Sequence, residues 1–218
     1  MAAPTESLDV LLRSRQTLLD HLDSNGYNTE PFRRFSAKEI AEMIKGGEKG
    51  AAFQMDLELK DGVELPESGI TKCLVVYSLL KIKQKLGGFI TAILDSETFD
   101  TTTTEIIVMC IEPIAPNFHA AAAEFWLSRK ARVRFFQAAA LVTNPMKHVL
   151  VPPHTKVPAT EVADLLKRMY AKKSQLPLIR FHEDPIARLL GIVPGDVVRI
   201  TRASPTAGEC VMYRVCVP

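Results

Sequence analysis

The segment DLELKD, residues 56–61, contains the residue types of a metal-dependent nuclease site. Asp56, Glu58 and Lys60 alternate along one predicted strand, so their side chains point to one face. Such a set can hold a divalent metal ion and activate water for phosphodiester cleavage. The Pro-Asp element that usually precedes it is missing here. Because the same alternation is typical of the solvated face of an edge strand, we favour that interpretation and keep the nuclease as the alternative.

No other set of reactive side chains has the spacing of a catalytic or metal site. The four cysteines include no CxxC pair, whereas a zinc site needs three or four clustered ligands. None of them lies in the cationic or helix-start context that activates a thiol, and we expect the five histidines to be structural or solvated. The GxSxG, P-loop and GxGxxG motifs are absent. We therefore predict no catalytic residue, no cofactor and no bound metal.

The composition is that of an ordinary soluble globular protein, with one large domain or two small ones. The chain has 218 residues, of which 47% are hydrophobic and 24% charged, and a formal net charge of +2. Residues 146–218 carry 11 Lys and Arg against 6 Asp and Glu, whereas residues 1–145 carry 16 against 19. This asymmetry indicates different surroundings for the two parts. With no secretory pattern and no apolar run of membrane-spanning length, we expect an intracellular, reduced location.

Periodicity predicts alternating helices and strands in the first part of the chain. Helices are predicted for residues 7–24, from 36 onward, for 68–86 and for 117–131, and strands for 51–59, for 105–111 and within 133–142. The alternation favours parallel strands joined by crossover helices. Asn117 is the expected cap of the last helix, and Gly87-Gly88 the expected stop of the helix over 68–86. The polar tract 95–104 is typical of an exposed insertion.

Prolines cluster near residue 145 and indicate a linker. We place a boundary there between an N-terminal domain, 1–145, and a C-terminal domain, 146–218. The second domain is predicted to contain a helix over 160–173 and two final strands joined by a turn in which Gly208 takes a positive φ. The helix should turn five side chains inward: Val162, Leu165, Leu166, Met169 and Tyr170. The predicted fold class is therefore α/β, or α+β overall.

Local signals specify the whole stretch DPIARLLGIVPGDVVRI, residues 184–200. Asp184 and Pro185 are the residue types of a helix cap and a first helical position, and Gly191 can end the helix. The next four residues fit a type II turn, which requires a positive φ at Gly195. The cap, helix-end and turn signals all favour the same backbone, which is expected where a sequence strongly specifies one conformation. We predict that four arginines of this region stay exposed: Arg188, Arg199, Arg202 and Arg214.

A second cationic cluster is LSRKARVRFF, residues 127–136. Arg129 and Lys130 lie near a predicted helix C-terminus, where cations interact favourably with the helix dipole. The same side chains have the reach to contact a phosphate backbone. Both interpretations stay open.

From residue 148 onward the chain resembles the fifth-subunit family of nuclear DNA-directed RNA polymerases, whose C-terminal module stands alone as a small subunit of the archaeal polymerase. The resemblance rests on HVLVPPH (148–154), LP (176–177), DPIARLLGIVPGDVVRITR (184–202), SPTAGE (204–209) and YRV (213–215). The residues that match the motif directly are Asp184, Pro185, Arg188, Gly191, Gly195, Arg202, Thr206, Gly208, Tyr213 and Arg214. The N-terminal part matches more loosely, at SNGYNT (24–29) and EIIVMCIEPIAP (105–116).

The resemblance implies an N-terminal jaw of βαβ type and a small C-terminal α+β assembly domain. It implies a non-catalytic subunit whose assembly domain docks on the largest polymerase subunit and whose jaw lies near downstream DNA. Other polymerase subunits are implied partners, without a membrane or a small-molecule substrate. The candidate partner-binding residues are Arg188, Arg199, Arg202, Tyr213 and Arg214.

In the jaw, the chain departs from the family at a helix start that the family places near DNA. The chain reads IAPNFHAAAA there, without the family's lysine, and residues 87–104 resemble an insertion. The candidate DNA-proximal residues are Asn117, Arg129 and Lys130. The implied location is the nucleus, or the cytoplasm if a large DNA virus encodes the chain. A stand-alone DNA-binding module is a third alternative, for which the small net charge predicts weak and salt-dependent binding.

Overall fold

Two four-stranded sheets organise the described part of the chain. The computed structural model describes residues 4–35, 37–46, 53–62, 69–96 and 99–218. The chain divides into two compact units, residues 1–144 and 145–218, which we call the N-terminal and C-terminal units. The predicted α/β fold class, α+β overall, is confirmed.

The N-terminal unit is built on a strand–helix–strand pattern. Its helices are α1 (Pro4–Ser24), α2 (Glu30–Arg33), α3 (Ala37–Gly46), α4 (Leu86–Leu94) and α5 (Pro116–Arg129). Its strands are β1 (Met55–Glu58), β2 (Lys72–Ser78), β3 (Thr104–Cys110) and β4 (Val133–Gln137). The sheet order is β1-β2-β3-β4, in which β1 runs antiparallel to β2 while β2, β3 and β4 are parallel. Helices α4 and α5 are the crossovers between the parallel strands, as the predicted alternation requires.

The central strand β3 is buried along its whole length, which its sequence TEIIVMC explains. Strands covered on both faces read as near-continuous apolar runs rather than as alternating patterns. The crossover helices each bury one apolar stripe: Leu86, Ile90 and Leu94 from α4, and Phe118, Ala122 and Phe125 from α5. The Phe118 ring centroid lies 5.3 Å from that of Phe135 in β4, so α5 packs directly on the sheet.

The helix predicted over residues 68–86 is wrong, because this segment contains β2. β2 pairs with β1 on one side and β3 on the other, and these long-range contacts override the helical spacing of its side chains. Gly87 and Gly88 lie in the first turn of α4 rather than after a helix. The segment 87–104, predicted to be an insertion, therefore includes most of a crossover helix, and Thr104 is already buried in β3.

The start of helix α5 differs from the predicted one. Helix α5 has Ala115 at its cap position and Pro116 as its first residue, so Asn117 is not the cap. Proline has a fixed φ and no N–H, and it is therefore favoured at the first helical position. Residues 36, 51 and 52, which belong to the predicted second helix and first strand, lie outside the described residues.

The C-terminal unit combines the second sheet with short helices. Its elements are β5 (His154–Val157), α6 (Ala159–Arg168), β6 (Leu178–Arg180), α7 (Pro185–Leu190), β7 (Val197–Ser204) and β8 (Gly208–Val217). The sheet order is β5-β7-β8-β6, in which β7 is antiparallel to β5 and β8 while β6 is parallel to β8. One apolar cluster joins α6 to this sheet: Val157, Leu165, Leu176, Val197 and Val215.

Helix α6 is shorter than predicted and ends at Arg168. The first three residues predicted to face inward do pack on the core, but Met169 and Tyr170 do not. Tyr170 adopts a left-handed φ of +51°, and the Ala171 N–H donates to the Leu166 carbonyl at 3.1 Å. This left-handed ending terminates the helix early and leaves Tyr170 98% exposed.

A buried ion pair joins distant parts of the N-terminal unit. Arg134 Nη2 in β4 lies 2.6 Å from Glu105 Oε1 in β3, and the two side chains are 5% and 9% exposed. The Tyr27 hydroxyl donates to the same carboxylate oxygen at 2.9 Å. Gly26, at φ +91°, reverses the chain after α1 and brings Tyr27 to the sheet. A single carboxylate thus connects the end of α1 to two central strands.

We predict that Glu105→Ala lowers the free energy of unfolding by about 3–5 kcal/mol, because the Arg134 guanidinium would stay buried without that carboxylate. Chemical denaturation of the full chain, followed by circular dichroism, measures the change. The matched control is Glu58→Ala, which removes an exposed carboxylate 2.7 Å from Lys72 and should leave the unfolding midpoint nearly unchanged. An equal loss in both variants would contradict the structural role of the buried pair.

Candidate functional site

Residues 184–200 form a capped helix, a tight turn and a strand, as predicted. Asp184 Oδ1 accepts hydrogen bonds from the N–H groups two and three residues later, at 2.8 and 3.1 Å, and so caps α7. Pro185 is the first residue of this helix, and Gly191 ends it with a left-handed φ of +62°. The local signals of the sequence therefore determine the backbone of this stretch.

Hydrogen bonds and an ion pair connect the turn after α7 to two strands. The Asp196 N–H donates to the Val193 carbonyl at 3.0 Å and Gly195 has φ +100°, which confirms the predicted turn. The Gly195 N–H donates to the Cys216 carbonyl at 2.9 Å, and the Cys216 N–H donates to the Asp196 carbonyl at 2.8 Å. The Asp196 carboxylate also accepts from the Val193 N–H at 2.9 Å and pairs with Lys156 Nζ at 2.8 Å. The turn is thereby tied to both β8 and β5.

The predicted partner-binding residues do not form one cluster. Arg199 pairs directly with Tyr213 across β7 and β8, so these two side chains share one face of the sheet. Arg202 and Arg214 lie at positions of the opposite face, and Arg188 belongs to α7. Tyr213 also packs against the apolar cluster under α6. The hairpin that carries these residues closes through the predicted turn, with φ +70° at Gly208.

Arg188 and Arg214 are half-buried, in contrast to their predicted exposure. Arg214 Nη1 donates to the Leu178 carbonyl at 3.2 Å, which ties β8 to β6. Burial lowers the pKa of Arg188, and the negative charge of Asp184 opposes this shift. Arg199 and Arg202 remain as the exposed arginines of the predicted set.

Two exposed apolar side chains belong to the same unit, and sequence reasoning missed them. Val149 and Leu150 are 94% and 81% exposed. The Leu150 N–H donates to His148 Nδ1 at 3.2 Å and the Val151 N–H to the His148 carbonyl at 2.9 Å, so a tight turn directs the pair outward. Neighbouring apolar side chains at such exposure are typical of an interaction site. The apolar pair lies within the HVLVPPH motif. The prolines of that motif favour a linker, and the pair was therefore not recognised as a possible binding site.

The structure keeps Asp56 and Glu58 on the exposed face of β1 but leaves Lys60 outside the strand and paired elsewhere. Glu58 pairs with Lys72 at 2.7 Å, which holds the pKa of Glu58 below its usual range, and Lys60 pairs with Asp23 at 2.8 Å. Asp56 lines a groove of about 440 Å³, and β1 ends at Glu58 before Lys60 is reached. Within the described residues, no group of three or more His, Cys, Asp or Glu could hold a metal ion. This geometry fits the solvated face of an edge strand.

Asn117 and the cations Arg129 and Lys130 lie at opposite ends of α5. A rise of 1.5 Å per residue separates these ends by about 18 Å, so the structure does not bring the three residues together. Arg129 Nη1 pairs with Asp95 at 2.6 Å, and Lys130 Nζ lies 5.3 Å from the centre of the Trp126 ring. Both cations therefore have partners within their own unit.

Three exposed lysines, Lys81, Lys83 and Lys85, form a cluster that sequence reasoning missed. Their loop follows β2, while the loop before α5 follows β3, and the carboxyl ends of parallel strands share one sheet edge. Glu112 Oε1 accepts hydrogen bonds from the N–H groups of Ile82 at 2.7 Å and Lys83 at 3.0 Å, which fixes the loop. We call this edge, with its lysine loop and the start of α5, the lysine edge. Because the sequence pattern predicts a helix across residues 68–86, the loop that carries these lysines was not recognised from the sequence.

Comparison with known proteins gives matches that include the C-terminal unit. Residues 143–216 match the family model of the RNA polymerase Rpb5 C-terminal domain. The Staphylothermus marinus protein named DNA-directed RNA polymerase subunit Rpo5 is 43% identical over 74 residues, which cover 34% of this chain and 80% of that relative. The chain belongs to the Rpb5 family of RNA polymerase subunits. Its Archaeoglobus fulgidus relative, also named Rpo5, is 50% identical over 70 residues, which cover 32% of this chain and 91% of that protein.

A eukaryotic member of the Rpb5 family matches a longer stretch. The Dictyostelium discoideum protein named DNA-directed RNA polymerases I, II, and III subunit rpabc1 is 39% identical over 118 residues. This match covers 54% of this chain and 59% of that relative. The family resemblance of the C-terminal motifs is thereby confirmed. No helix among the described residues has both the length and the apolar character needed to cross a membrane.

We predict that Gly195→Ala lowers the free energy of unfolding of this Rpb5-family chain by about 1–3 kcal/mol, because an L residue is strained at φ +100°. Thermal denaturation measures the change. Gly87→Ala is the matched control, since the same methyl group there would enter a helix and meet no atom within 4 Å. It should leave the melting temperature unchanged or raise it. An unchanged melting temperature in Gly195→Ala would refute the strain.

Proposed function

We propose that this chain is a non-catalytic subunit of a multisubunit DNA-directed RNA polymerase and that its C-terminal unit docks on the largest subunit. The observation that carries the proposal is the family match over residues 143–216, which coincides with this unit. The relatives in this family are named as RNA polymerase subunits, both in Archaea and in a eukaryote. The named eukaryotic relative supports a nuclear location, with the cytoplasm as the alternative for a viral enzyme.

We propose a docking surface that consists of Val149, Leu150 and Arg199. The Thr201 N–H in β7 donates to the Pro153 carbonyl at 3.1 Å, so the segment that carries the apolar pair runs beside β7. Leu150 is three residues from Pro153 and thus within about 10 Å of it. Protein interfaces combine an apolar centre with arginine more often than the rest of a surface does. The half-buried Arg188 and Arg214 and the core-packed Tyr213 instead shape the unit that presents this surface.

We predict that replacing both Val149 and Leu150 by Ser abolishes co-purification with the largest polymerase subunit of the same organism, because the apolar centre of the interface is lost. Arg199→Ala should weaken it less. Leu127→Ser is the matched control, since Leu127 is also exposed, at 61%, but belongs to the N-terminal unit. Wild-type chain that fails to associate while the other subunits assemble would refute the proposed function.

We further infer that the N-terminal unit acts as the jaw near downstream DNA and that the lysine edge faces the DNA. Lys81, Lys83 and Lys85 add three charges to the edge where α5 begins, and Asn117 lies at that helix start. Arg129 and Lys130, at the other end of α5, are engaged with Asp95 and Trp126. Phosphate contacts need only the reach of a cation, so the loop lysines can replace the lysine missing from the helix start.

We predict that replacing Lys81, Lys83 and Lys85 by Gln weakens downstream-DNA binding by the assembled polymerase. The slope of log K against log salt should fall by about 0.9 for each phosphate contact that is lost. Replacing Arg129 and Lys130 by Gln is the matched control and should leave the slope nearly unchanged. The opposite pattern would assign the DNA-facing side to the C-terminal end of α5.

A further inference from the structure

The groove that Asp56 lines runs along β2, and neither the proposed docking surface nor the lysine edge includes its residues. Its volume is about 440 Å³. Leu74 and Val76 of β2 form the floor, between β1 on one side and α4 on the other. The outward positions of β2 from Lys72 to Val76 span about 13 Å, at about 3.3 Å per residue. The groove is therefore about as long as two turns of an α-helix.

The groove lies on the sheet face that carries the two crossover helices. Val76, Val108 and Phe135 are neighbours in register on β2, β3 and β4, so their side chains share this face. Phe118 of α5 packs on Phe135, and Phe89 of α4 lines the groove beside Val76. The antiparallel pair β1 and β2 needs no crossover helix. In the part of the chain that the structure describes, the side chains of β1 on this face are therefore exposed.

Large apolar side chains line the groove without being fully buried in it. The half-buried ones are Leu74, Phe89, Ile93 and Phe99. Phe89 and Ile93 are four residues apart in α4, so they form one stripe of the helix surface. This stripe lies beside the one that α4 buries against the core. Since a surface helix normally has one apolar stripe, the second stripe of α4 indicates a further contact.

The rim that β1 contributes has an excess of negative charge. Asp56 and Glu58 lie on the same face of β1, and Lys72 Nζ is 2.7 Å from Glu58 Oε1. The hydrogen bond and the charge of Glu58 raise the pKa of Lys72, and the charge of Asp56 adds to this effect. Asp56 itself is exposed and has no hydrogen bond or ion pair with any residue that the structure describes. Two carboxylates thus face one ammonium group, so the rim attracts a cation.

We propose that this groove binds a short amphipathic helix of a partner protein, with its apolar side chains on the groove floor and a Lys or Arg beside Asp56. An amphipathic helix in an apolar groove is a recurrent mode of peptide recognition. The strip formed by β1 and β2 is about 10 Å wide, which is about the width of one helix. The bound helix would lie beside α4 as α4 lies beside α5. A nucleic acid is disfavoured, because Asp56 would repel its phosphates.

The first test follows the methyl signals of Leu74, Val76 and Ile93 by NMR in the full-length chain. The probes are acetyl-Ser-Leu-Lys-Lys-Leu-Leu-Lys-Ala-Leu-Leu-Lys-Ala-amide and its counterpart with Glu in place of every Lys, which share one apolar stripe. We expect the basic peptide to shift the signals saturably and the acidic peptide to bind at least about fivefold more weakly. The basic peptide should also gain helical circular dichroism on binding. Equal affinities, no shift with either peptide, or binding without a gain of helix would overturn the proposal.

The second test reverses the charge of the rim. Asp56→Lys should make the chain bind the acidic peptide more tightly than the basic one, because the rim then carries an excess of positive charge. Asp61→Lys is the matched control, since Asp61 is also exposed but does not line the groove. This control should keep the preference for the basic peptide, and thermal denaturation checks that both variants fold. An unchanged preference in Asp56→Lys, or the same reversal in both variants, would refute a role of Asp56.

The third test removes part of the apolar surface. Phe99→Ser should weaken binding of the basic peptide at least about tenfold, because Phe99 supplies an aromatic ring to the groove. Phe99 belongs to no helix or strand, so the elements around the groove stay intact. Leu127→Ser, which changes an exposed apolar residue outside the groove, should leave the affinity unchanged. Equal affinities in the two variants would show that the peptide binds elsewhere by charge alone.

Discussion

Two reciprocal backbone hydrogen bonds hold the end of strand β8 against the turn that precedes β7. They run from Gly195 to Cys216 and from Cys216 to Asp196. Because β8 also pairs with β6 and β7 pairs with β5, this junction sets the register of the whole C-terminal sheet. The capped helix α7 leads directly into the turn. The exposed side chains of this unit thus depend on a junction that is formed by backbone groups.

In the N-terminal unit, buried charged side chains connect the elements, whereas in the C-terminal unit backbone hydrogen bonds connect them. Arg134 is buried beside Glu105, and the Tyr27 hydroxyl donates to the same carboxylate. Arg15 is buried to a similar degree among aromatic rings, without a carboxylate from the described residues. The same residue type is thus balanced by a carboxylate at one position and surrounded mainly by aromatic rings at the other.

Sequence reasoning succeeded where the residue itself determines the backbone. Asp184 as a cap and the positive φ at Gly191 and Gly195 follow from local chemistry, and the family follows from motifs of the same region. It failed over residues 68–86, because the strand there is defined by pairing with β1 and β3, which no local pattern contains.

Exposure was the least predictable property of the candidate site. Arg214 is half-buried because β6 brings the Leu178 carbonyl within 3.2 Å of it, a contact between residues 36 positions apart. Tyr170 is exposed because α6 ends early and Tyr170 itself adopts a left-handed φ. The sequence has no glycine at this position, so it lacks the usual signal for the end of a helix. Val149 and Leu150 have the composition of core residues, and only the turn at His148 reveals their outward direction. The apolar part of the proposed docking surface is therefore visible only in three dimensions.

The position of β8 in its sheet also has a consequence for biosynthesis. β8 lies between β7 and β6, yet both of those strands precede it in the chain. While the ribosome is still translating the unit, β6 has no strand beside it, and the turn at Gly195 has no acceptor for its N–H until residue 216 emerges. In the N-terminal unit each strand from β2 onward pairs with the one made just before it. The N-terminal unit can thus fold progressively as it is translated, whereas the C-terminal sheet is completed only after β8 has been made.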